Sequence, residues 1–302
     1  MSILQNPPSL QKGDKVAILS TARKISLEDI EWAKANIESW GYQVVLGKTI
    51  GLSHEQYAGN EEERAKDFQE MLDRDDIKAI ICARGGYGTV RIMDLLDFTH
   101  FTNHSKWIIG YSDVTILHAH INNYLGIQTL HASMPINFKN NSKESLDSIQ
   151  STLKGEKSTT TFPAHPLNRI GEVEGQVIGG NLSILYSIIG TKSGFNPDHK
   201  ILFIEDLDEY LYHLDRMMIA LKRAGKLDNL KALIVGGMTK MKDNTIPFGK
   251  SAEEIILEHC SGCDYPICFR APFGHLEDNR ALCLGANYTL NVRAEKVVLK
   301  AL

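Results

Sequence analysis

The sequence predicts an α/β protein in two domains, the first built on a mostly parallel, doubly wound sheet. Three observations carry this. Short apolar runs alternate with helical patterns through the first half, the signature of strands joined by crossover helices. The chain has 302 residues, and about 150 residues is a common domain size. A stretch rich in Ser, Thr, Lys and Pro then interrupts the alternation near the middle of the chain.

The elements follow in order. Val16–Ser20 is a short apolar strand. Ser26 is placed to cap a polar helix over Leu27–Trp40, which Gly41 stops. Val44–Leu46 is the next strand. The charged stretch Glu61–Arg74 reads as a solvated amphipathic helix. Ile77–Cys82 is a buried strand ending in ARGGYG, and Trp107–Ile109 is another ending in GYSD. A helix over about Val114–Tyr124 leads to a strand near Gln128–His131. The pattern blurs between about Asn140 and Glu172, where KSTTTFPAHP reads as a linker. We therefore divide the chain into residues 1–150, a linker at 151–172 and residues 173–302. The second half resumes with a strand at Gly175–Ile178, the turn Gly179-Gly180-Asn181 and a short helix. A strand at Ile201–Ile204, a helix over Tyr210–Ala224, a strand at Ala232–Val235 and a helix over Ala252–His259 follow. Ala281–Leu299 is strand-rich. Right-handed crossovers place the loops after parallel strands along one edge, where sites in such folds collect.

Composition narrows the function classes. The net charge of -4 argues against nucleic acid or an anionic membrane surface as the main partner. No apolar run approaches the ~20 residues of a spanning helix, and the N-terminus lacks a signal-peptide pattern. Five cysteines are an odd number and do not form a disulfide framework. Together these point to the cytoplasm.

The strongest local signal is WIIGYSDVTILHAH. An apolar strand runs into Gly110-Tyr111-Ser112-Asp113 and a helix begins at once. This lifts the Ser112 hydroxyl clear of the backbone, near free helix N–H groups. It is not the usual G-x-S-x-G, because Val114 replaces the second glycine, and a simple helix cap is the plainer reading. An oxyanion formed at Ser112 needs donors. The Asp113 amide is one, and the ARGGYG loop offers another from Gly86 or Gly85. The same loop lacks the Gly-Lys-Ser/Thr of a phosphate loop and the G-x-G-x-x-G of a dinucleotide site.

A serine nucleophile needs a base. His118 and His120 lie about 200° apart around a helix and cannot share a metal. His131 sits near a strand end. His275, in RAPFGHLEDN just after the strand Ile267–Phe269, is best placed to present its ring to a cleft. Glu205 or Asp206, at the end of Ile201–Ile204, is placed to accept its Nδ1–H. A competing zinc reading takes Cys260 and Cys263 with Cys268 and His259, but a second C-x-x-C is missing.

Taken together, LQKGDKVAILST, ARGGYG, GYSD, GGNLS, the IED strand end and the APFGH loop, in that order, resemble the LD-carboxypeptidase family of serine peptidases. The family includes the microcin C immunity peptidases, and the resemblance covers nearly the whole chain. It implies an N-terminal Rossmann-like domain and a smaller C-terminal β-rich α/β domain, with the site at their junction. It implies Ser112 as nucleophile, Glu205 and His275 as its partners, and the amides of Asp113 and Gly86 as oxyanion donors, with Gly85 the alternative. It implies no metal or other cofactor, a homodimer, and a murein peptide as substrate, cleaved to release a terminal D-alanine during peptidoglycan recycling. We add Arg84 as a candidate for the substrate's terminal carboxylate. The alternatives are a microcin-type peptidase acting on a peptidyl-nucleotide amide and a non-catalytic peptide-binding module.

Overall fold

The computed structural model describes residues 4–302. The first five strands are β1 (Lys15–Leu19), β2 (Gln43–Leu46), β3 (Ile77–Cys82), β4 (Trp107–Gly110) and β5 (Thr129–His131). They pair in parallel in the order β5-β4-β3-β1-β2. Helices α1 (Leu27–Ser39), α2 (Glu61–Asp73), α3 (Thr99–Asn103) and α4 (Thr115–His120) connect them. Val16–Leu19 and Ala79–Cys82 are wholly buried, as expected where helices cover both faces of a parallel sheet. Ser26 and Asn60 begin α1 and α2, each with a reciprocal bond to an acidic side chain three residues on. These caps satisfy amides that a helix start leaves free.

The second sheet draws on the rest of the chain. Helix α5 (Lys143–Leu153) leads to β6 (Thr159–Pro163) and the long strand β7 (Gly171–Asn181). Then come α6 (Leu182–Ser187), β8 (Ile201–Leu207), α7 (Leu211–Arg223), β9 (Ala232–Thr239), α8 (Ala252–His259) and β10 (Ile267–Cys268). The last strands are β11 (Leu282–Leu284), β12 (Asn287–Val292) and β13 (Lys296–Ala301). The order is β10-β9-β8-β7-β12-β13-β6, parallel from β10 to β7 and antiparallel from β7 to β6. Strand β7 shows the change along its length. Gly171–Glu174 alternates between exposed and half-buried against β12, and Gly175–Asn181 is wholly buried. Most of that buried half pairs with β8.

Two features depart from the elements that the sequence predicts. The stretch read as a linker carries the end of α5 and all of β6, whose alternating Thr160 and Phe162 face inward. Strand β11 leaves the second half of the chain and pairs antiparallel with β5 at the edge of the first sheet. The two sheets are thus tied together, and the carboxyl ends of β4, β8 and β10 meet at their junction.

Candidate active site

Strand β4 delivers Ser112 into a tight 3₁₀ turn, Ser112–Val114, that runs straight into α4. Ser112 has φ +61°. A non-glycine residue held there costs about 1–3 kcal/mol, which the surroundings must supply, and such strain gathers at functional turns. Gly110 permits the turn: a Cβ there would lie 2.9 Å from Val114 Cγ2. Behind it, the buried His118 Nε2–H donates to the Gly110 carbonyl at 2.8 Å. Burial lowers the His118 pKa to about 4, so this ring stays neutral and acts as a strut.

Asp113 turns inward. Its Oδ2 accepts the Thr89 amide at 2.8 Å, which pins the far end of the ARGGYG segment beside the serine turn. Burial pushes its pKa up, against the bonds from Thr89 and the charges of Arg64 and Arg23. Gly85 packs against Ser112: a Cβ on Gly85 would sit 3.4 Å from Ser112 Cβ. Gly86 is exposed with φ +111° and Gly88 has φ +141°, so the loop's path requires glycine at both. Among the described residues, no protein group accepts the amide of Asp113 or of Gly86.

The loop is held by a residue that the sequence reading placed on a solvated helix face. Arg64 is only 1% exposed. Its Nη1 donates to the carbonyls of Thr21 at 2.6 Å and Gly88 at 2.9 Å, and the guanidinium lies 4.9 Å from the Tyr57 ring centre. The loops after β1 and β3 are therefore bridged by one buried cation. The signal was present: Arg64 lies on the same helical face as Phe68, Met71 and Leu72, all buried.

Glu205 lies two residues before the end of β8, fully buried, and its Oε2 is 2.6 Å from His275 Nδ1. The His275 amide also donates to Oε2, at 3.3 Å. Burial opposes charge on His275, but the Glu205 charge and hydrogen bond, aided by Asp206, outweigh it and raise the pKa. Gly274 makes the approach possible. It has φ +102°, and a Cβ would lie 2.6 Å from Glu205 Oε2. Asp206 points elsewhere, accepting from Asn181 Nδ2 at 3.0 Å and the Ser183 amide at 2.9 Å. Burial first, then the charge of Glu205, raises the Asp206 pKa to about 7.

The His275 loop reaches across to the first sheet. Asn279 Oδ1 accepts the Gly274 amide at 2.7 Å, and the Asn279 carbonyl accepts the Ser145 hydroxyl at 2.6 Å. The Tyr111 ring, adjacent to Ser112, lies 4.8 Å from the imidazole of His275. The turn bearing Ser112 and the loop bearing His275 therefore face each other, and Glu205 backs the imidazole. Asn279 was not singled out from sequence; a buried polar residue on a loop has no periodic signature.

Other candidates are engaged elsewhere or buried. Arg84 Nη1 donates to the Lys24 carbonyl at 3.1 Å, and its charge falls on Asp29 at the start of α1. His131 is fully buried behind Tyr111, with its pKa pushed well below the ordinary histidine value, chiefly by burial. Cys260 and Cys268 are buried with raised pKa values from burial, and His259 Nε2 pairs with Asp215 at 2.7 Å. Among the described residues, Asp75, His100 and His104 form a cluster whose donor atoms lie within 4.8 Å of one another. It sits beside β3 and α3 and not at this junction.

Comparison with known proteins accords with this architecture. Residues 16–132 match the family model described as the LD-carboxypeptidase N-terminal domain, and residues 174–290 match that of the C-terminal domain. A probable murein peptide carboxypeptidase of Bacillus subtilis is 32% identical over 309 residues, covering 99% of this chain and 96% of that protein. The chain belongs to the LD-carboxypeptidase family. As a member of it, the protein is a hydrolase of the serine carboxypeptidase class. Another LD-carboxypeptidase relative, the murein tetrapeptide carboxypeptidase of Pseudomonas aeruginosa, is 28% identical and covers 91% of this chain and 92% of its own length. The crystal structure of a muramoyltetrapeptide carboxypeptidase from Oxalobacter formigenes superposes with a TM-score of 0.87 at 28% identity, covering 95% of this chain and 98% of that one. A microcin C7 self-immunity protein shares the fold at a TM-score of 0.87 and 23% identity, covering 99% of this chain and 98% of that one. No helix among the described residues of this LD-carboxypeptidase is long and apolar enough to cross a membrane.

Proposed function

We propose that this carboxypeptidase hydrolyses the bond between an L-centre and the terminal D-alanine of murein tetrapeptide, using Ser112, His275 and Glu205. The observation that carries the reading is the Glu205–His275 pair, with Oε2 and Nδ1 2.6 Å apart, whose imidazole lies 4.8 Å from the ring of Tyr111, the neighbour of a serine at φ +61°. In this reading, neutral His275 Nε2 takes the Ser112 proton as Oγ attacks the scissile carbonyl. Glu205 accepts the Nδ1–H throughout, fixing the tautomer and stabilising the imidazolium. The oxyanion is received by the amides of Asp113 and Gly86. The imidazolium returns its proton to the leaving D-alanine amine. Water, deprotonated by His275, then hydrolyses the acyl-enzyme and regenerates Ser112.

The murein peptide is proposed from the Bacillus and Pseudomonas relatives, whose names carry that substrate. A cytoplasmic setting in peptidoglycan recycling, a homodimer, and the division at 1–150 and 173–302 belong to the same proposal. The test is incubation of the purified protein with murein tetrapeptide. Stoichiometric free D-alanine and tripeptide are expected. Intact tetrapeptide at high enzyme concentration would overturn the substrate assignment.

A further inference from the structure

We propose that Arg23, on the loop after β1, is the cation that binds the substrate's terminal carboxylate and makes the enzyme an exopeptidase. The inference rests on the carboxypeptidase reading above and specifies it. Strand β1 is flanked by β2 on one side and β3 on the other, so the chain reverses direction across the sheet between β1 and β3. Loops leaving such a pair diverge and open a crevice at the strands' carboxyl ends, where open α/β sheets bind ligands. Arg23 lies on one lip of that crevice and Gly85-Gly86 on the other.

The Arg23 side chain crosses directly over Gly86: a Cβ on Gly86 would lie 2.6 Å from Arg23 Cδ and 2.7 Å from Nε. Its charge also falls on Asp113, the neighbour of Ser112. In an exopeptidase substrate, only the scissile nitrogen and one Cα separate the carboxylate from the scissile carbonyl, about 4 Å in all. The carboxylate-binding group must therefore sit beside the oxyanion donors, and Arg23 does.

Arg23 is held through its backbone, its carbonyl accepting the Ser20 hydroxyl at 2.7 Å and its strand bridge running to Tyr57. Among the described residues its guanidinium has no hydrogen-bonding or ionic partner. Four other cations flanking the junction are engaged: Arg84 with the Lys24 carbonyl, Arg270 with Glu253, Arg280 with Asp278 and Lys242 with Asp208. A guanidinium offers two parallel donors that match a carboxylate, which favours an arginine for this task.

The experiment measures kcat/KM for murein tetrapeptide and for its C-terminal amide with the wild type, Arg23→Ala, Arg23→Gln, Arg23→Lys and Arg84→Ala, each checked by circular dichroism. Arg23 is exposed, so neither neutral variant should lose the fold. The wild type should prefer the acid. Both neutral variants should lose roughly 10- to 100-fold on the acid, the size of a charge-assisted bond, with little change on the amide. Arg23→Lys should recover part of the preference, and Arg84→Ala should keep it. A wild-type acid-to-amide ratio in both neutral variants, or its collapse in Arg84→Ala alone, would overturn the assignment. Hydrolysis of neither peptide by the wild type would instead overturn the carboxypeptidase reading and this inference with it.

Discussion

At the scale of single residues, the site depends on which of two adjacent acids faces the imidazole. Neighbouring residues on a strand point to opposite sides. Glu205 therefore reaches His275 while Asp206 holds Asn181 and the Ser183 amide. Glu205→Gln is expected to cost far more kcat than Asp206→Asn. Asp206→Asn should act mainly on stability, by about 1–3 kcal/mol, because an amide nitrogen cannot accept the Ser183 N–H. Urea unfolding and kcat on the same two proteins give the ranking, and the reverse order would remove Glu205 from its proposed role. The raised pKa of His275 also predicts a pH profile. The base works only when neutral, so kcat/KM should fall as pH drops, with a midpoint above the ordinary histidine value of about 6.5. NMR titration of His275 should show that midpoint, and Glu205→Gln should move it down, since burial then acts without the opposing charge. A midpoint that stays fixed in Glu205→Gln would show that the carboxylate does not govern the imidazole. Ser112 and the Glu205-Asp206 pair could be singled out as candidates in the sequence because each follows an apolar run, and the family resemblance alone chose Glu205 over Asp206. His275 was legible from its Gly-containing loop, while the φ of Ser112 and the Gly274–Glu205 approach were not.

At the scale of elements, the work lies in holding two loops together. Arg64 on α2 ties the loop after β1 to the loop after β3 through the carbonyls of Thr21 and Gly88. Arg64→Ala leaves the Thr21 carbonyl unpaired in the interior and the Gly88 carbonyl with the Arg91 amide alone. A loss of about 1–3 kcal/mol in urea unfolding is expected, together with a lower kcat as the oxyanion loop loosens. Unchanged kcat and stability would mean that the loop holds its shape without this cation. The strands and helices of the first half were readable because parallel strands buried on both faces appear as continuous apolar runs. Helix α5 and strand β6 were hidden by their composition. In β6 only Thr160 and Phe162 face inward, and threonine at an edge reads as easily as loop. Strand β11 was hidden for another reason. Leu282–Leu284 pairs with Thr129–His131, some 150 positions earlier in the chain, and no local pattern encodes such a partner.

At the scale of the whole molecule, the site exists only where the two sheets meet. Its proposed nucleophile follows β4, and its proposed acid–base pair comes from β8 and the loop after β10. Asn279 joins the two by bonding Gly274 on one side and Ser145 on the other. Asn279→Ala should therefore lower kcat more than it raises KM, because it frees the loop that aims His275 while leaving the crevice near Arg23 intact. The account's central claim is that Ser112 is the nucleophile of a D-alanine-releasing carboxypeptidase. The measurement that tests it most directly is the rate of D-alanine release from murein tetrapeptide by Ser112→Ala, beside the wild type, with folding verified by circular dichroism. The account predicts a fall of about 10⁴-fold or more in kcat in a folded protein; near-normal release by folded Ser112→Ala would contradict it.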